Sequence, residues 1–209
     1  MIVADILSRV KRQFGDESGA QITDEDIIRW VNDGQNEIAQ MHDLLEATAT
    51  AYTVDGKVDY DLPPNMVSLK SVYYDDRKLE NLSTQEFDEW IRQWNDGSKG
   101  SGDSWVYTSW GNKVTLFPAP SERKALRLVY SCFPAPVETS TDTLNIPTRY
   151  HNRLVEYVLQ QAYELDENFE AAAYKANQLS NSMSQVLGDE QWDEKAEYPT
   201  ILVGSDDAW

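Results

Sequence analysis

Residues 23–45 read TDEDIIRWVNDGQNEIAQMHDLL. Ile27, Val31, Gly34, Ile38, Met41 and Leu45 are spaced +4, +3, +4, +3 and +4, which puts them on one stripe of an α-helix. Thr23 suits the N-cap, and Asp24, Glu25 and Asp26 fill the first turn, where the helix dipole favours anions. Gly34 lies on the apolar stripe. A mid-helix glycine costs about 1 kcal/mol relative to alanine, so its place there predicts a close helix crossing. Upstream, MIVADILSRVKRQF sets Ile2, Ile6, Leu7, Val10 and Phe14 on one helical face. That pattern is periodic rather than continuous, so it reads as a helix and not as an export signal. GDESGAQ, with two glycines, separates the two helices.

Downstream of residue 50 the period changes. AYTVDGKVDYDLP (51–63) has β-branched and aromatic residues around Asp-Gly and reads as a hairpin. MVSLKSVYY-DD-RKLENL (66–82) reads as a second hairpin. SWVYTSW-GN-KVTLFPAP (104–120) reads as a third, and KALRLVYSCF (124–133) as a further strand. Between them STQEFDEWIRQW (83–94) predicts a short helix capped by Ser83, and NDGSKGSGDS (95–104) a flexible loop. The helical period returns after residue 147. Leu154, Val158, Ala162 and Leu165 share a face, followed by Ala172, Ala176, Leu179, Met183 and Val186. The expectation is an α+β fold: a helical bundle from residues 1–50 and 147–187, an inserted antiparallel β unit of about six strands over 51–146, and an extended C-terminal tail, 188–209.

The chain of 209 residues carries 36 acidic and 18 basic side chains, a formal charge of −18. Such a balance argues against a broad phosphate-gripping face. The last 22 residues hold seven acidic side chains against one basic, a third of the excess. They also hold Trp192, Tyr198, Ile201, Leu202, Val203 and Trp209, so they read as a segment that orders on a partner rather than as a solvated acidic tail. No apolar run is long enough to span a membrane. The lone Cys132 fits a reducing compartment and, beside Phe133 in a strand, reads as a small apolar residue rather than a nucleophile. His42 and His151 are isolated, with no zinc-ligand spacing and no phosphate-binding glycine motif elsewhere, so neither a metal nor a cofactor is expected. Asp24–Glu25–Asp26, the acids of 55–61 and Asp75–Asp76 lack the calcium-loop pattern. Trp90, Trp94, Trp105 and Trp110 bracket the Gly/Ser loop and suit either a small core or an interface.

The stretches ADILSRVKRQF (4–14), ITDEDIIRWVNDGQNEIAQ (22–40), YDLPPNMVSLKSVYYDDRKL (60–79), GNKVTLFPAPSERKALRLVYSCFPAP (111–136) and LNIPTRYHNRLVEYVLQQAYEL (144–165) together resemble the head-to-tail adaptor proteins of tailed phages, also called head completion or connector proteins. The resemblance covers about residues 2–187. It implies a virion structural protein of the phage neck rather than an enzyme, assembled in the host cytoplasm. It further implies a ring, usually of twelve copies, set between the portal protein and the tail or nozzle protein, that extends the DNA channel without reading sequence. In that setting Trp192, Tyr198, Ile201, Leu202 and Trp209 are expected to dock on the portal. Trp90, Trp94, Trp105 and Trp110 are expected at a subunit or tail interface. The alternatives are a carbohydrate-binding module using the Trp90–Trp110 aromatics, an acidic DNA mimic that inhibits a host protein, and a hydrolase with a carboxylate pair.

Overall fold

The computed structural model describes residues 1–94 and 103–194; the side chains of residues 42, 93–94 and 185–194 lie outside the description, as do the predicted flexible loop over 95–102 and the tail beyond Glu194. The architecture is α+β and falls into two compact units. One comprises Met1–Gly34, Val137–Leu144 and the chain from Thr148 onward; the other comprises Gln35–Pro136 and Asn145–Pro147.

The helical unit begins with α1, Val3–Phe14, which buries Val3, Ile6, Leu7 and Val10. Its N-cap residue, Ile2, has no side-chain acceptor to offer. The 137–144 segment supplies acceptors instead: Val3 N–H donates to the Asp142 carbonyl (2.9 Å) and Ala4 N–H to that of Ser140 (2.8 Å). Gly15, at φ 93°, closes the helix in the left-handed conformation.

The next helix, α2, spans Asp24–His42. Asp26 N–H donates to Thr23 Oγ1 (3.1 Å), and the Thr23 hydroxyl donates to the Asp26 carboxylate (2.7 Å), so the predicted cap forms. Ile27, Val31 and Ile38 are buried as their spacing predicts. Met41 is 57% exposed, and Leu45 lies beyond the helix. The reason is Asp43, whose φ of 48° ends the helical path before the stripe is complete. A Cβ on Gly34 would stand 2.6 Å from Leu154 Cδ1 and 2.7 Å from Tyr157 Cδ1, so the close crossing inferred from its place on the stripe is real.

Leu154 and Tyr157 belong to α4, His151–Leu165, entered through a 3₁₀ turn at Thr148–Tyr150. Its apolar face buries Leu154, Val155, Val158, Leu159 and Ala162; Leu165, expected on that face, is 56% exposed at the helix end. The last helix, α5, runs Phe169–Glu194, carrying the helix seven residues past the expected boundary at 187 and taking Trp192 into its backbone. Ala172 and Met183 are buried on it. Arg153 Nε and Nη2 donate to the Ser182 carbonyl (3.2 and 3.0 Å), tying α4 to α5.

In the second unit the strands are β1 Glu46–Tyr52, β2 Asp59–Asp61, β3 Met66–Tyr74, β4 Arg77–Lys78, β5 Glu80–Asn81, β6 Val106–Trp110, β7 Lys113–Phe117 and β8 Ala125–Cys132. They form two four-stranded sheets of order β1-β8-β3-β4 and β2-β7-β6-β5. All ladders are antiparallel except β5–β6, which is parallel. The second and third predicted hairpins form. Asp75 and Asp76 turn β3 into β4 at φ 51° and 63°, and Gly111, at φ 58°, opens the β6–β7 turn. The Asp-Gly hairpin does not form: β1 pairs with β8 and β2 with β7, in different sheets. The backbone around Asp55-Gly56 is held by residues 120–124 instead, with Thr53 N–H donating to the Lys124 carbonyl (2.9 Å) and Gly56 N–H to that of Pro120 (2.8 Å).

Both sheets contribute to one core of Tyr60, Leu62, Val72, Tyr74, Leu79, Tyr107, Val114, Leu116, Leu126, Leu128 and Tyr130. Cys132 is partly buried against it. Helix α3, Thr84–Trp94, is capped as expected: Glu86 N–H donates to Ser83 Oγ (3.3 Å), and Ser83 N–H to the Glu86 carboxylate (2.9 Å).

Candidate functional site

Three polar junctions and one aromatic cluster stand out. In the helical unit, Asp16 is 7% exposed and holds the α1–α2 loop around its carboxylate. Oδ2 accepts from Gln21 N–H (2.7 Å) and Ile22 N–H (3.0 Å); Oδ1 accepts from Ala20 N–H (3.0 Å) and the Ser18 hydroxyl (2.9 Å). These bonds, led by those of Ile22 and Gln21, hold its pKa well below the carboxylate range. GDESGAQ is therefore an ordered loop wound on a fixed anion.

In the β unit, Asp43 plays a similar part. It forms an ion pair with Lys70, and its Oδ1 accepts from the hydroxyls of Ser68 (2.9 Å) and Ser131 (2.6 Å). The two hydroxyls are 2.8 Å apart. Serine, lysine and aspartate together invite a nucleophile reading. However, Lys70, then Ser131 and Ser68, hold Asp43 ionised below its ordinary pKa, so the carboxylate is a weak base already engaged by three donors. The junction fastens the segment after α2 to β3 and β8. At the other end of β8, Lys124 Nζ lies 2.6 Å from Asp103, 3.7 Å from Asp75 and over the Tyr74 ring at 5.5 Å. The Asp103 bond raises its pKa.

The tryptophans divide. Trp90 on α3 and Trp105 meet edge-on at 4.4 Å, and Trp90 and Phe87 both meet the ring of Phe117 at about 6 Å. Both indoles are half-buried and fasten α3 to β6–β7. Trp110, 76% exposed at the hairpin tip, is presented outward. The Trp94 side chain lies outside the described residues, as do that of Trp192 and the whole of Tyr198, Ile201, Leu202 and Trp209. A flat sugar platform needs adjacent solvent-facing rings, and the Trp90–Trp105 pair is turned into packing.

His151 opens α4 and is buried; His42 closes α2. Among the described residues no group of three His, Cys, Asp or Glu is placed to hold a metal ion, and no helix is long and apolar enough to cross a membrane. A recess of about 220 Å³ over α1 is lined by Ser8, Lys11, Arg12 and Glu17, and one of about 60 Å³ by Phe14, Gln21, Ile22, Ala162, Leu165 and Asp166. The larger recess holds a serine, a lysine and a glutamate, but the Ser8 hydroxyl donates to the Asp5 carbonyl and Lys11 is paired with Asp24, so neither side chain is aimed at the other.

Sequence reading missed several exposed apolar side chains: Leu165, Phe169 and Tyr174 around the α4–α5 turn, and Tyr52 and Val54 at the end of β1. For Tyr174 the available signal was its position off the apolar stripe of α5; Phe169, three residues before Ala172, keeps the period of that stripe and is exposed at the first residue of the helix.

The described surface thus carries one outward tryptophan, Trp110, and exposed apolar side chains at the α4–α5 turn and at the end of β1. A family profile described as SU10 adaptor protein matches residues 1–201. The chain belongs to that family, whose members are phage adaptor proteins with a structural role in the virion. No curated protein matched the chain.

Proposed function

We propose that this chain is a head-to-tail adaptor that assembles as a ring, twelve copies being the expected number, between the portal and the tail or nozzle protein. The ring extends the DNA channel. The observation that carries this reading is the family match over residues 1–201. The −18 charge supports it, because acidic side chains facing a channel repel phosphates and let DNA slide. The C-terminal segment docks on the portal through Trp192, Tyr198, Ile201, Leu202 and Trp209, supplying the aromatic and apolar anchors that dominate interfaces. Trp110, with Trp90, Trp94 and Trp105 behind or beside it in the sequence, belongs to a subunit or tail contact. The work is done without catalysis or a cofactor, at the virion neck, after assembly in the host cytoplasm.

Mixing the full chain with purified portal and viewing the product by negative-stain microscopy tests the reading. A ring of about a dozen adaptors on one face of the portal is the expected result. A chain that ignores portal and instead co-purifies with a basic host protein would favour the DNA-mimic alternative. Truncation after Leu187 removes all five docking residues and should leave a folded chain that no longer binds portal; a truncated chain that still binds would overturn the docking role of the tail.

A further inference from the structure

Strand β1 is an edge of its sheet. Its odd-numbered residues face β8 with their hydrogen bonds. Cys132 N–H donates to the Leu45 carbonyl (2.8 Å) and Thr53 N–H to that of Lys124 (2.9 Å), at the two ends of the register Ala47↔Tyr130, Ala49↔Leu128, Ala51↔Leu126. In an antiparallel ladder alternate residues exchange both bonds with one neighbour. The N–H and C=O groups of Glu46, Thr48, Thr50 and Tyr52 therefore point away from β8. No described residue bonds to them, and all four side chains are exposed.

The opposite edge of the same sheet, β4, is two residues long and reads Arg77-Lys78, a short charged edge of the kind that resists pairing. β1 has seven residues, EATATAY, with no proline or lysine and a single charge at its start. We propose that β1 pairs antiparallel with β1 of a second copy of this chain, about a two-fold axis through Ala49. This register sets Thr48 opposite Thr50 and Glu46 opposite Tyr52, and it uses every free group on both strands. Threonine pairs and opposite charges favour such ladders. The Arg123 guanidinium lies 4.3 Å over the Tyr52 ring, so the Glu46 carboxylate of one copy meets the Arg123 cation of the other. A slip of two residues leaves one end unpaired and parts Glu46 from Arg123. Pairing with β2, the Asp59–Asp61 edge of the other sheet, would bring aspartates to Glu46 instead.

A two-fold pair is not a ring contact, so it belongs to the chain before assembly and does not depend on the adaptor ring. Because each copy carries a charge of −18, added salt tightens the pair.

Sedimentation of the full chain at rising concentration should show a species of twice 23.9 kDa. Thr50→Pro removes an outward N–H and no bond to β8; it should weaken self-association at least about tenfold with an unchanged circular dichroism spectrum. In a Cys132→Ala background, Ala49→Cys should give a disulfide-linked dimer on oxidation, because two-fold related residues at a non-hydrogen-bonded site stand about 4.5 Å apart at Cα. Thr48→Cys should not, being out of register with its own copy. A chain that stays monomeric at every concentration overturns the proposal, and so does a dimer that ignores Thr50→Pro and fails to link through residue 49. If Thr50→Pro disturbs the fold, the two cysteine variants decide. Portal binding is read separately, so loss of either result leaves the other standing.

Discussion

Gly34 shows how one missing side chain sets a crossing. Its neighbour Leu154 is fully buried, so it has no free volume into which to retreat from a new methyl group. Alanine brings about 1 kcal/mol of helix propensity but overpacks the crossing by about 1–3 kcal/mol. We therefore expect Gly34→Ala to lower stability by about 1 kcal/mol net in urea unfolding, and Gly34→Val to lower it further. Asp16 works the opposite way, by supplying a charge the loop is built around. Its pKa is lowered in the fold, so its contribution is present above the ordinary aspartate value of about 4 and is lost as pH falls through the folded value. Asp16→Asn should reduce stability at neutral pH and flatten the fall in stability below about pH 4, measured by thermal unfolding across that range. An unchanged acid limb would mean that the other lowered carboxylates, Asp26, Asp43, Glu86 and Asp142, carry it.

Elements were legible to the extent that their causes are local. The stripe of α2, the caps at Thr23 and Ser83 and the two hairpins that formed are written within a few residues of each other. The Asp-Gly hairpin was misread because its competitor is distant: residues 120–124 hold the turn backbone, and β8 takes β1 from across the unit. Met41 and Leu165 kept the right period but sit where their helices stop, which periodicity does not report. The tryptophans were visible as a group, but only geometry separates Trp90 and Trp105, which face each other, from Trp110, which faces out. At this scale Ser83→Ala tests a cap: α3 should lose about 1 kcal/mol, and loosening of the Trp90–Trp105 contact should appear as a red shift in tryptophan emission.

For the whole molecule, charge is the property that sequence stated most directly, and its consequence concerns DNA. At −18 the intact chain should not retard duplex DNA in a gel even at low ionic strength. Retardation would remove the argument for a repelling channel wall. A different consequence follows from the place of β8. It is an inner strand of its sheet, yet it is made last, about eighty residues after β1. At the usual pace of synthesis that interval lasts roughly 4–16 s. Throughout it β1, and for about its last fifty residues β3 as well, exists without the strand that joins them, and the order of translation becomes a hazard that the finished sheet conceals. Chains released before Ala125 should therefore be the species that clump in an expressing cell, and slower growth at low temperature would lengthen the exposure rather than relieve it.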